Sequence, residues 1–418
     1  MKTCTDCHRL FEDDGGFCPI DGQRLVPMAQ SKLPSDPHDA RMGATFCDGR
    51  YQIWRKVADG GMGRVYQALD KVTNSGVALK ILHSDVAGDP VSLERFKREF
   101  EVSASLPHDH IVDVLAFEKT EDESYALVME YLEGEELRML LKRDKTMPPE
   151  RVVRMLSQVA LGLTAAHDRK VVHRDLKPDN VFLCGTRDGD VVKILDFGSV
   201  RDNSEGAKKL TVMGTTIGSP FYMAPEQAQG LATLDHRADV WSAAAIAYEC
   251  LTGKVPFHAP TGPAILLTIL TKEALPPSVV SAGATPKELD EVMEHALTKD
   301  PSIRIPSIGA LVDRIGAAYG LEGSHHTWAR MPQAQLADLR GRANAAAPLV
   351  IEPPVESVKL RAMDDAFKAG SEGGPAGAFG SDDSFVMGMP AERPKWLLAA
   401  VAGGAVLVGV LITLLISR

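Results

Sequence analysis

Cysteine, aromatic residues and positive charge are all scarce in this chain. Six cysteines in 418 residues are too few for the disulfide framework of a small secreted domain. Aromatics make up 6% and the formal net charge is −10, so there is no bulk basic footprint for nucleic acid. Charges recur from Met1 to Gln30 without an apolar run of signal-peptide length, so no signal peptide is expected. The G-x-x-x-x-G-K-[ST] run of a phosphate-binding P-loop is absent. What remains is ordinary: 44% apolar and 24% charged residues, in a chain long enough for two or three domains and a large core.

The two ends depart from that average. Three of the cysteines fall near the start, as Cys4-x-x-Cys7 and Cys18, and Asp21 stands where a second pair would end. Two such knuckles about ten residues apart suit a tetrahedral zinc site. Residues 1–27 resemble the zinc-ribbon modules of many bacterial proteins, with Asp21 or the neighbouring His8 as fourth ligand. Reduced, metal-free thiols are the alternative. Residues 28–50 read as a linker, and Cys47, Cys184 and Cys250 as packing residues.

At the other end, 396–416 carries no charge, follows Arg393 and Lys395, and begins with Trp396. As a helix it would be about 31 Å long, close to a bilayer core. A single membrane-spanning helix is expected, with the flanking cations keeping the bulk of the chain cytoplasmic, at the cell (inner) membrane. Ala399 with Gly403 and Ala405 with Gly409 have the spacing of small residues between paired helices, which would support a homodimer.

Between the ends, 51–319 alternates strand-like and helix-like segments. A glycine turn runs through Val57, Ala58, Asp59, Gly60, Gly61, Met62 and Gly63 to Val65, then a strand from Gly76 to Leu82, then an amphipathic helix from Val91 to Leu106. Glycines between strands let phosphates approach backbone N–H groups, although Ala58 occupies the first glycine position of G-x-G-x-x-G. A plain hairpin turn would look the same.

Later segments decide between them. His173-Arg174-Asp175-Leu176-Lys177-Pro178-Asp179-Asn180 precedes a strand ending in Asp196-Phe197-Gly198, and Ala224-Pro225-Glu226 follows. In order and spacing these resemble the motifs of eukaryotic-type protein kinases, and specifically of bacterial serine/threonine kinases. The resemblance implies an α+β, two-lobed fold with a small β-rich lobe and a larger helical one, using ATP and Mg²⁺. It gives Lys80 to the phosphates, with Glu99 as its partner and Glu101 as runner-up. Asp175 would accept and orient the substrate hydroxyl, Lys177 would stabilise the γ-phosphate, and Asn180 and Asp196 would hold Mg²⁺. Main-chain groups around Glu130 and Leu132 would meet the adenine, with Met129 behind it. Val65 and Ala78 would form its roof and Phe182 its floor.

By the same resemblance, His173 is structural, Asp239 braces the catalytic loop, and Glu226 with Arg304 forms a buried ion pair. Arg174 would pair with a phosphorylated loop residue, first Thr211, then Thr215 or Thr216, while Ser219 is structural. Expected partners are proteins with Ser or Thr acceptors. A kinase-shaped scaffold without catalysis is the rival, supported by Ala58 and Asp59 in the glycine turn. A nucleic-acid-binding ribbon is disfavoured by 6 basic against 8 acidic residues in the first fifty. Residues 320–394, rich in Ala, Gly and Pro, read as a flexible tether with a short helix around Gln333 to Arg342.

Overall fold

The computed structural model describes residues 1–11, 15–28, 36, 38–61, 63–197, 220–231 and 233–346. Met62, Gly198, Thr211, Thr215, Thr216, Ser219 and the apolar run 396–416 lie outside the described residues. Among those described, no helix is long and apolar enough to cross a membrane.

Three two-residue strands, β1 (Lys2–Thr3), β2 (Leu10–Phe11) and β3 (Val26–Pro27), form a small antiparallel sheet in the order β2-β1-β3. A second sheet follows, from β4 (Thr45–Phe46), β5 (Tyr51–Asp59), β6 (Gly63–Asp70), β7 (Ser75–Leu82), β8 (Val114–Lys119) and β9 (Tyr125–Glu130). Its order is β4-β5-β6-β7-β9-β8, antiparallel throughout. One face buries Tyr51, Ile53, Tyr66, Leu79, Ile81 and Val128.

A short helix α1 (Ser84–Ala87) leads to α2 (Pro90–Ala104). Asp89 caps α2 by accepting from the Val91 and Ser92 N–H groups, with Pro90 in the first turn. The buried residues of α2 are Phe96, Glu99 and Ser103, a three-and-four spacing that puts one face on the sheet. Glu101 points elsewhere: it is exposed and pairs with Lys97 at 3.8 Å.

The large lobe opens with β10 (Glu135–Glu136), α3 (Leu137–Asp144) and α4 (Pro149–Asp168). β11 (Val181–Thr186) and β12 (Gly189–Ile194) join β10 in a three-stranded sheet. Then come α5 (Pro225–Ala228), α6 (Arg237–Thr252), α7 (Gly262–Thr271), α8 (Pro277–Val280), α9 (Glu288–Ala296) and α10 (Ile308–Ala318). Alanine and apolar residues surround α6 on all sides, so it is buried almost throughout. It stops at Gly253 in the left-handed region, φ 73°.

Packing differs from the sequence reading at both borders of 51–319. In the stretch read as a linker, Phe46 is buried in the small-lobe core and buried Asp39 accepts from the Tyr66 hydroxyl at 2.9 Å. In the stretch read as a tether, α11 (His325–Trp328) and α12 (Gln333–Ala346) follow, and Leu321, Trp328 and Leu336 join the large-lobe core. Arg154 donates to the Met331 carbonyl at 2.8 Å, and Arg340 meets Glu150 at 2.8 Å. The lobe is therefore packed well past Tyr319. The reason is a few apolar anchors, which the Ala- and Gly-rich average conceals.

Candidate active site

The glycine turn joins β5 to β6. Gly63 cannot carry a side chain, because a Cβ there would lie 2.3 Å from the Ile81 carbonyl oxygen. Ala58 and Asp59 pair with Val65 and Arg64 across the hairpin. Arg64 holds the Asp59 carboxylate at 2.9 Å, and His83 meets the Gly60 carbonyl at 2.9 Å and Asp59 at 3.5 Å. The acidic residue in this turn is thus paired with the Arg64 guanidinium rather than left alone. Gly60 closes the turn by donating to Gly63 at 3.0 Å.

On β7, Lys80 stands opposite Val65 on one side and Leu127 on the other, and Ala78 opposite Gln67 and Met129. The Lys80 ammonium reaches both Glu99 oxygens, at 2.8 and 2.9 Å, and lies 3.6 Å from Asp196. Burial, then the Asp196 charge, pushes the Glu99 carboxyl up, with Lys80 pulling the other way. Burial opposes the Lys80 ammonium, but the carboxylates of Asp196 and Glu99 more than compensate and hold it above its ordinary value. A cation brought to Asp196 would relieve its repulsion of the Glu99 carboxylate.

The catalytic-loop residues follow α4. Lys177 donates to Asp175 Oδ2 at 2.7 Å. Asn180 donates through Nδ2 to the Asp175 carbonyl at 2.8 Å and more weakly to its carboxylate at 3.4 Å, which orients Asn180 Oδ1 as a ligand. Arg174 and Asp196 both adopt the left-handed region, φ 65° and 57°, conformations that non-glycine residues keep only where the surroundings enforce them. At Arg174 the enforcing group is Asp239 on α6. Its carboxylate, wholly buried, accepts from the N–H groups of His173 and Arg174, both at 2.9 Å, and from His167 at 2.8 Å. Burial alone would raise its pKa, yet these donors hold it below the ordinary carboxylate value.

His173 is structural: its ring meets the Leu195 carbonyl at 3.0 Å and packs 4.8 Å from the buried Phe197 ring. Phe197 turned inward leaves Asp196 near Lys80. The Glu130 carboxylate is occupied by the Asp113 N–H at 2.8 Å and by Lys193 at 2.6 Å, and its main-chain N–H donates to the Asp113 carbonyl at 3.0 Å, so neither is left for a base. Met129 lies on β9 and Phe182 on β11, while Leu132 follows β9. Glu226 and Arg304 form the buried two-pronged pair at 2.7 and 2.9 Å. Sequence reasoning missed Gln227, which bonds the Arg174 carbonyl at 2.7 Å, and Arg138, which joins Asp179, Glu249 and Tyr222. Their only signal was polar character at helical positions.

A lysine–glutamate pair, a metal-ready Asp and Asn, and a braced Asp–Lys loop between two lobes define a protein kinase. The chain belongs to that family: the sequence model of the protein kinase domain matches residues 51–313. It is 33% identical over 328 residues to the serine/threonine-protein kinase PknH of Mycobacterium bovis, covering 77% of this chain and 53% of that one. Over 265 residues it is 35% identical to the serine/threonine-protein kinase pkn3 of Myxococcus xanthus, covering 62% and 48%. The chain thus spans about half the length of these curated relatives. Among solved structures, the PknI kinase domain of Mycobacterium tuberculosis matches with a TM-score of 0.52 at 28% identity, over 67% of this chain and 98% of that one.

Proposed function

We propose that this chain is a serine/threonine protein kinase that moves the γ-phosphoryl group of ATP to protein hydroxyls, its own loop included. The observation that carries this is the Lys80–Glu99 pair with Asp196 at 3.6 Å and the Asp175–Lys177–Asn180 cluster. Lys80 holds and orients phosphate oxygens. Asp175 orients the acceptor hydroxyl and takes its proton, and Lys177 meets the charge on the transferred group. Asn180 and Asp196 present the hard oxygens that Mg²⁺ requires, and the ion would neutralise phosphate charge. The full chain, incubated with Mg-ATP and mapped for phosphopeptides, is expected to carry phosphate on Ser or Thr between 198 and 219, with Thr211, Thr215 or Thr216 modified. Nucleotide binding without any phosphate incorporation would leave a scaffold in place of an enzyme.

The ribbon reading is tetrahedral zinc on Cys4, Cys7, Cys18 and Asp21. Their ligand atoms lie within 4.8 Å of one another, and Cys7 and Cys18 are 3.7 Å apart at sulfur, near the ~3.8 Å edge of a tetrahedron with zinc–sulfur bonds of about 2.3 Å. Both knuckles have one geometry: His8 N–H donates to the Cys4 carbonyl and Gly22 N–H to the Cys18 carbonyl, at 3.1 and 3.0 Å, with φ of 55° and 73°. His8 is outside the four-residue group, which supports Asp21 as the fourth ligand. Leu10 packs on Trp54 and Leu69 of the kinase lobe. About one zinc per chain is expected, and its removal by a chelator should shift Trp54 emission to the red. A metal-free preparation with unchanged emission refutes this part.

The run 396–416 supports a single-pass anchor in the cell membrane with the kinase domain cytoplasmic, and its small-residue spacings support a homodimer. Retention in membranes after carbonate washing, lost on deleting 396–416, tests it.

A further inference from the structure

The ribbon does not seal against the kinase lobe. A crevice of about 520 Å³ lies between them, with Phe11 and Phe17 on the ribbon side and Gln67, Gly76, Tyr131 and Glu133 on the other. Gln67 is fully buried in its wall, and among the described residues neither its amide oxygen nor its amide nitrogen has a partner. A lost partner for one buried polar group costs about 1–3 kcal/mol, and Gln67 leaves two. Trp54, the extra residue of the β-bulge beside Arg55, likewise has no partner for its buried ring N–H among the described residues. Arg55 is the cross-strand partner of Gln67. A core glutamine in this state marks a place that something polar fills.

We propose that this crevice is a second ligand site, separate from the nucleotide cleft, for a small uncharged planar heteroaromatic with adjacent hydrogen-bond donor and acceptor. The volume suits a small organic molecule. Phe11, Phe17 and Tyr131 offer ring faces. Among the described residues the lining holds one charged side chain, Glu133, beside Met1, and no lysine or arginine that would favour a phosphate or carboxylate. A glutamine amide pairs in two-pronged fashion with a donor and an acceptor side by side, as it does with the edge of adenine. Nucleobases and ring carboxamides share that edge.

The site is also placed to report to the nucleotide. Gln67 is the cross-strand partner of Ala78 and lies two residues from Val65 on the same face of β6, and Tyr131 and Glu133 follow Glu130 in the segment between the lobes. This coupling rests on the kinase reading; the binding itself does not.

The test is calorimetry on the full chain with adenine, cytosine and nicotinamide as probes, each run with the nucleotide cleft saturated by a non-hydrolysable ATP analogue and Mg²⁺. At least one probe is expected to bind one per chain, and Gln67→Leu to weaken it ten-fold or more. Without probe, the Gln67→Leu chain should melt no lower than wild type, since leucine removes two unpaired groups. The proposal is overturned by no binding of any probe at millimolar concentration, by equal binding to Gln67→Leu, or by loss of binding when the analogue is present. Binding that leaves the affinity for the analogue unchanged overturns the coupling alone. Intact binding in a chain that transfers no phosphate removes the kinase reading and keeps the site.

Discussion

Asp175→Asn should lower phosphoryl transfer by about 10²–10⁴-fold, the range for losing a positioned proton acceptor, while the melting temperature stays near wild type. Asparagine matches aspartate in shape and can still accept from Lys177, which lies 2.7 Å from Asp175 Oδ2. The Asn180 bond to the residue 175 carbonyl at 2.8 Å does not involve the side chain at all. What disappears is the negative charge that draws the acceptor proton. Asp239→Ala gives the contrast. Asp239 touches no reacting atom in this arrangement, but three donors converge on its buried carboxylate, so its loss should lower activity and melting temperature together. A radiolabelled phosphate-transfer assay beside thermal melts separates the cases. Wild-type transfer by Asp175→Asn would remove Asp175 from the proposed reaction.

Much of this site was legible because protein kinases carry their phosphoryl-transfer residues in a fixed order along the chain, which this sequence resembles. Lys80, Asp175, Lys177, Asn180 and Asp196 fall within that order, and the helical period of α2 selects Glu99 over Glu101. Other features depended on neighbours that no local pattern names. Asp59 in the glycine turn looked like a defect until Arg64 and His83 were found beside it. Residues 1–27 read as a separate module because their cysteines form a local motif, whereas their attachment depends on Leu10 meeting Trp54 and Leu69, far away in sequence. The large lobe was cut at Tyr319 for a similar reason. Composition turns polar and small there, and the anchors that hold the next turns in place are single residues.

Trp328 is the strongest of those anchors. Trp328→Ala should destabilise the large lobe by about 3–5 kcal/mol, the usual cost of emptying a large aromatic site. For a lobe of this size that is a fall in melting temperature on the order of 10 °C. The indole is fully buried, donates to the Glu322 carbonyl at 3.1 Å, and lies over Gly316 so closely that a Cβ there would be 2.2 Å from the ring. Gly316→Ala on α10 should therefore destabilise through the same contact from the opposite side, by overfilling. The two changes share a contact, so their effects should fall short of additive when combined. A tether that merely passes the lobe predicts the opposite: unchanged melting for Trp328→Ala and only a small change for Gly316→Ala. Because Arg154 and Arg340 also join this segment to α4, the large lobe continues through α12 rather than ending at Tyr319.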